Sequence, residues 1–205
     1  MSSCKKIKKE KIKQAKIIRY NNIIMEHENH FSHIKYHIIK LAVYLVLAVF
    51  VFIFRESLAS EAVLKYFIGG LMILYGVEET LFEIVFHGLN FWKQEKVYLG
   101  FVEIILGCVL LIAPLDLETT CVIWATWSII REAFEIRELV TEVKSVLLTI
   151  VSGLESLAVI VLSIMLILEP GEHHALIHLY LLLVELFLTP FVPLMDELLE
   201  KYKKA

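Results

Sequence analysis

The feature that most constrains this chain is a succession of apolar segments that begins near residue 38 and continues almost to the end. The segments cover residues 38–54, 62–85, 97–115, 119–136, 146–168 and 174–195. None contains the uncharged stretch of about 18 residues that identifies a spanning helix by itself. A large soluble helical bundle is therefore one interpretation. Each segment is long enough to span a bilayer if one or two acidic residues near the same end are counted as part of the span. This favours six transmembrane helices.

Composition supports the membrane interpretation. The chain is 58% hydrophobic and 21% charged, with a mean hydropathy of +0.71, whereas soluble domains are nearer 45–50% apolar and about 25% charged. Three scattered cysteines are too few for a disulfide framework. A net charge of −3 argues against nucleic acid as a partner. We therefore expect an all-α membrane protein whose main partner is the lipid bilayer.

The distribution of basic residues predicts the orientation of the helices. With the amino terminus in the cytoplasm, 17 of the 20 Lys and Arg residues lie before the first span, in the inner loops or after the last span. The outer loops at residues 114–118 and 169–174 contain no Lys or Arg. Positive charge accumulates on the cytoplasmic side of membrane proteins. The pattern predicts a multi-pass protein of the inner cell membrane with both termini in the cytoplasm.

Residues 1–36 are polar, and lysines alternate there with isoleucines. This mixture predicts a basic amphipathic segment that lies on anionic lipid headgroups. The alternative is a solvated tail that only sets the topology. No apolar region precedes residue 38, so the segment does not resemble a cleavable signal peptide. The predicted organisation is residues 1–36, a six-helix domain at 37–196 and a cytoplasmic tail at 197–205.

The six segments pair as three helical hairpins, at about residues 37–89, 97–138 and 146–195. Glu79, Glu132 and Glu185 occur at successive intervals of 53 residues, and Gly100 and Gly153 share that interval. A hairpin repeated three times is the simplest explanation. The alternative is that the 53-residue interval arises by chance, because the first two hairpins each contain several acidic residues that could be matched.

The middle hairpin carries a recognisable pattern. Residues 100–114, GFVEIILGCVLLIAP, lead through a short turn towards residues 127–136, WSIIREAFEI. This unit resembles the repeat of the bacterial HdeD-type acid-resistance membrane proteins, over about residues 97–137. Glu132 stands where that pattern has a small residue. The resemblance implies a six-span, non-enzymatic inner-membrane protein involved in acid or other stress, and it implies no catalytic residues.

Carboxylates within apolar segments are the candidate functional residues, because ionisable groups are costly in a membrane. They are Glu79, Glu83, Glu103, Glu132, Glu135, Glu155 and Glu185, with Arg131 as their counter-charge. Arg131 and Glu135 are four residues apart and can pair on one helix face. One interpretation is a cytoplasm-facing acidic vestibule for a proton or cation. The other is structural, with each carboxylate capping a helix or hydrogen-bonded to a neighbour.

Two histidine groups are weaker candidates for metal binding. His30, His33 and His37 share a helix face before the first span, while His174 and His178 lie one turn apart on the outer side. Helical spacing of this kind can hold a metal. Neither group has a closed ligand set, so a solvated or interfacial face is the alternative for both.

Motifs of soluble enzymes are missing. The sequence contains no G-x-S-x-G, H-E-x-x-H, P-loop or G-x-G-x-x-G pattern, and nothing in it implies a cofactor. Gly69, Gly70 and Gly76, with Gly100 and Gly107, instead indicate close helix packing. We expect a non-enzymatic protein of the HdeD type. The alternative is a small cation or proton channel or transporter, and the sequence leaves a homo-oligomer open.

Overall fold

A computed structural model describes residues 34–142 and 145–204 of the chain, and this part is helical with no strand. The helices are α1 (Ile34–Leu58), α2 (Glu61–His87), α3 (Glu95–Ile112), α4 (Leu117–Glu142), α5 (Val146–Leu168) and α6 (Glu172–Lys204). A 3-10 turn, Gly88–Lys93, connects α2 to α3. The predicted amphipathic segment up to residue 33, with His30 and His33, lies outside the described residues.

Three of the helices are long and apolar enough to cross a bilayer. They comprise Ile34–Leu58, Val146–Leu168 and Glu172–Leu199, which belong to α1, α5 and α6. This identifies a helical membrane protein. Helices α2, α3 and α4 contain more charged residues within their apolar stretches. Six spans and a hairpin repeat therefore remain predictions.

Polar and apolar side chains are distributed as expected for a protein in lipid. Ile112 is 84% exposed and Leu168 is 74% exposed, whereas Glu103 is fully buried and Arg131 is only 3% exposed. A soluble bundle would place such apolar groups inside and such charges outside. Lipid is a favourable solvent for the exposed apolar surface, so this arrangement supports the membrane interpretation over the soluble one.

Two glycine pairs set the distance between α2 and α3. A Cβ atom on Gly107 would lie 2.6 Å from the carbonyl oxygen of Gly69, and one on Gly100 would lie 2.8 Å from that of Gly76. The glycines are seven residues apart on each helix, so the antiparallel helices meet at two places separated by two turns. Small residues allow backbones to approach in this way. Gly70 faces open space and takes no part in the contact.

The last helix continues through two prolines. Pro190 and Pro193 lie inside α6, which is helical from Glu172 to Lys204. The helix therefore extends into the predicted cytoplasmic tail.

The interior of the bundle has two layers. Its apolar core lies near the short turns that join α1 to α2, α3 to α4 and α5 to α6. Core residues there include Leu58, Leu64, Leu110, Trp124 and Leu179. The opposite half of the bundle contains the buried charged residues. The fold thus separates an apolar half, at the end with the short turns, from a half that contains the buried charged residues.

Candidate functional site: a buried polar network around Arg131

Arg131 on α4 is the central cation of the network. Its Nε atom lies 2.9 Å from Glu135 Oε1 and donates a hydrogen bond to it, so the pair expected within one helix is present. The same Nε lies 3.6 Å from Glu185 Oε1 on α6. Nη1 lies 3.9 Å from Glu103 Oε1 on α3. One guanidinium therefore faces carboxylates from three helices.

Two aromatic side chains complete the surroundings of Arg131. Its Cζ atom lies over the Tyr75 ring, 3.5 Å from the centroid. The Trp127 ring is 5.8 Å away, and its indole Nε1 donates a hydrogen bond of 2.9 Å to Glu103 Oε1. Aromatic faces attract cations most strongly where water is excluded. The two rings therefore hold the guanidinium in place between the helices.

Three carboxylates converge beside this cation. Glu132 on α4, Glu155 on α5 and Glu185 on α6 each offer an oxygen, and these oxygens lie within 4.8 Å of one another. All three side chains are buried, with exposures of 1%, 8% and 5%. Neither carboxylate oxygen of Glu132 has a hydrogen-bond partner among the described residues. Like charges this close, out of water, strongly disfavour full ionisation without a bound cation.

A second cation extends the network to α1. Lys40 Nζ lies 3.0 Å from Glu78 Oε2, and the Tyr44 hydroxyl donates a hydrogen bond of 3.1 Å to the same oxygen. The rings of Tyr44 and Tyr75 meet edge to face with their centroids 5.5 Å apart. Polar and aromatic groups from all six helices therefore form one continuous buried network.

The network lies in the half of the bundle away from the short turns that join α1 to α2, α3 to α4 and α5 to α6. At a rise of about 1.5 Å per residue, Lys40, Glu103, Glu155 and Arg131 are roughly 9 to 17 Å from the other ends of their helices. The basic residues predict that these ends are cytoplasmic.

Most of the predicted acidic residues meet, but in a different combination from the one that the repeat suggested. Glu132 and Glu185 come together with Glu155, which is not part of the 53-residue series. Glu79 is half-buried on α2 and lies outside that group of three. Among charged side chains, Arg131 has the largest electrostatic effect on the Glu79 carboxyl. Glu83, one turn further along α2, is also buried.

No described histidine belongs to a group of three or more converging ligand atoms. His37 is 4.0 Å from Glu197, and His174 is 3.7 Å from Glu169. His178 is buried with its Nε2 3.3 Å from the Ser128 hydroxyl. In residues 34–142 and 145–204, Glu132, Glu155 and Glu185 form the one group of His, Cys, Asp or Glu side chains whose ligand atoms converge. His174 and His178 are one turn apart and have separate partners, and metal binding by this pair stays a prediction.

Sequence reasoning did not identify Lys40, Tyr44, Tyr75 and Glu78 as parts of this network. Lys40 belongs, by its position in the sequence, with the basic residues that precede the first span. The 53-residue interval selects Glu79 and not its neighbour Glu78. One signal was available: Tyr75, Glu78 and Glu79 are three and four residues apart, which places them on one face of a helix.

No protein-family model, curated protein or solved structure matches the chain.

Proposed function

We propose that this protein is a small membrane channel or transporter for protons or other cations, which bind at the carboxylates of Glu132, Glu155 and Glu185. The observation that carries the proposal is the convergence of these three buried side chains from three helices. A protein retains such groups in a membrane mainly where an ion or a proton uses them.

The charge balance of the network supports cations as the transported species. Five carboxylates surround Arg131, namely those of Glu103, Glu132, Glu135, Glu155 and Glu185. A buried charge without compensation costs several kcal/mol. Lys40 adds one positive charge, but it pairs with a different carboxylate, that of Glu78. The remaining negative charge attracts cations and repels anions.

Position also supports transport. The site lies in the inner half of the bundle, and the apolar core between the helices separates it from the outer turns. A cation can therefore reach it over a shorter distance from the cytoplasm. Passage to the outside requires the apolar layer to open, which is how a gate would separate the two sides.

The experiment is flux through the purified protein in proteoliposomes. An interior pH dye reports protons, and a second interior dye reports divalent cations under an imposed gradient. We expect wild-type flux that Glu185→Gln abolishes. Glu118→Gln is the matched control, because Glu118 is exposed at the outer start of α4. Wild-type protein that passes no cation under either gradient would contradict the proposal.

A non-enzymatic role in acid or other stress, implied by the HdeD resemblance, is the second proposal. It is favoured by the repeat-like segment at residues 100–114, since its Gly100 and Gly107 form the tight contact with α2. This role depends on packing rather than on carboxylate charge. In the source organism, acid survival lost on deletion and restored equally by wild type and Glu185→Gln would favour it over transport.

A further inference from the structure

Glu132, Glu155 and Glu185 have the spacing of ligands to a single metal ion. Hard divalent cations bind carboxylate oxygens at about 2.0–2.6 Å, so two oxygens on one ion are at most about 5.2 Å apart. The three oxygens here lie within 4.8 Å of one another. One ion can therefore contact all three side chains with only small changes in their rotamers.

The oxygens of this group are available to a ligand. Both oxygens of Glu132 and Oε1 of Glu155 are buried and receive no hydrogen bond from the described residues. The Ser156 hydroxyl interacts with Glu132 but lies outside hydrogen-bond geometry. Buried polar groups nearly always have a partner, so these atoms point to a bound species that satisfies them.

A second observation comes from α2. The Tyr75 side chain is fully buried, and its hydroxyl has no hydrogen-bond partner within the described part of the chain. Its ring lies against the Arg131 guanidinium, with 3.5 Å between Cζ and the ring centroid. The unsatisfied hydroxyl is therefore a further buried polar atom in the same network, which a bound species would satisfy.

Arg131 leaves the group free to bind. Its hydrogen bond goes to Glu135 at 2.9 Å, whereas its distance to Glu185 Oε1 is 3.6 Å. The guanidinium therefore attracts the Glu185 carboxylate without a hydrogen bond to it, and the carboxylate remains available to a cation. A divalent cation would offset two of the three negative charges of the group, which a single proton cannot do.

We propose that Glu132, Glu155 and Glu185 bind one divalent cation of the oxygen-preferring class, which comprises Mg²⁺, Mn²⁺ and Ca²⁺. The donor set consists of carboxylates, with neither Cys nor His, which disfavours zinc and copper. This inference deepens the proposed function by naming its substrate class. Binding of the ion is independent of the proposed function, and only its transport rests on that function.

The test is Mn²⁺ binding by the full chain, purified in nanodiscs and followed by the electron paramagnetic resonance signal of free Mn²⁺. We expect one saturable site per chain, from which Mg²⁺ or Ca²⁺ displaces the ion. Glu132→Gln and Glu155→Gln should each weaken binding at least about ten-fold, since even second-shell changes weaken metal sites by that factor. Glu118→Gln should leave the affinity unchanged.

Glu132→Asp keeps the carboxylate and is the second variant, in case the amides disturb folding. Helix content and a monodisperse gel-filtration peak verify each sample. Absence of a saturable site in wild type, or equal affinity in the Gln variants, would overturn the metal inference. Proton flux without Mn²⁺ binding would overturn it and leave the proposed function standing. Mn²⁺ binding without any cation flux would support the metal inference and overturn the proposed function.

Discussion

The Arg131 guanidinium on α4 lies 3.5 Å from the centroid of the Tyr75 ring on α2, and it also pairs with Glu135 and Glu185. The contact with Tyr75 connects two helices that are not consecutive in the chain. It also explains how a cation remains buried inside the bundle, because the ring replaces part of its hydration.

Replacing Arg131 with Gln should destabilise the protein by about 3–5 kcal/mol, because it leaves buried carboxylates without their cation. Arg137→Gln is the matched control, since Arg137 and Glu95 pair on the surface, each with 63% exposure, and such pairs contribute about 0–1 kcal/mol. Thermal unfolding in detergent measures both. The Arg131→Gln loss should be smaller at about pH 5 than at pH 8, since protonation removes the carboxylate repulsion. Equal losses at both pH values would contradict this account.

Gly76→Ala should lower stability by about 1–3 kcal/mol, the usual effect of overpacking. The new methyl group would meet the Gly100 carbonyl and force α2 away from α3. Gly70→Ala tests the specificity of the effect. Gly70 is exposed in the same helix with open space around it, so alanine there should be neutral or stabilise by about 0.5–1 kcal/mol. Similar melting temperatures for the two variants would show that the close contact is unimportant.

Trp127→Phe should lower the free energy of unfolding by about 1–3 kcal/mol in addition to the effect of lost packing. The reason is that Glu103 Oε1 loses a buried hydrogen bond of 2.9 Å. A double-mutant cycle with Glu103→Leu, which removes the acceptor oxygen, isolates that contribution. The coupling free energy between the two positions should be well above the experimental error. A coupling near zero would mean that the indole contributes only its volume.

Asp116 stabilises the start of α4 from the turn that joins α3 to α4. Its Oδ1 accepts a hydrogen bond of 2.9 Å from the Thr119 backbone N–H. Hydrogen bonds from the side chain and then the backbone of Thr119 lower the pKa of the Asp116 carboxyl below its usual value. A lowered pKa adds stability above the unfolded value of about 3.9, and this is lost as pH falls through the folded value.

Asp116→Ala should therefore lower the melting temperature at neutral pH, whereas Asp116→Asn, which still caps a helix, should lower it less. The advantage of wild type over Asp116→Asn should shrink between about pH 6 and pH 3. Melting curves across this range measure it. An advantage that grew towards acid pH would have the wrong sign for a carboxyl of lowered pKa.

The orientation is tested by labelling intact cells with an impermeant thiol reagent. Single-cysteine variants are made on a background in which the native cysteines are replaced. Cysteines at Asp116 and Glu172 should react from outside, whereas those at Lys93 and Lys201 should react only after lysis, since basic residues mark the cytoplasmic side. The opposite pattern would invert the topology and place the carboxylate group nearer the outer surface.

The sequence by itself determined the helical class, the membrane environment and the residues from which a site could be built. Apolar segments of spanning length and an excess of exposed apolar surface have the same cause, which is a lipid solvent. Contacts within one helix were also predictable, because a spacing of four residues places Arg131 and Glu135 on one face whatever surrounds them.

Only the tertiary structure decided which carboxylates meet. Glu155, rather than Glu79, joins Glu132 and Glu185, and Lys40 enters the network through Glu78. Contacts between helices depend on how far each helix is rotated and shifted along its axis. Those quantities are set by packing, such as the glycine contacts between α2 and α3, and a regular interval along the chain carries no information about them.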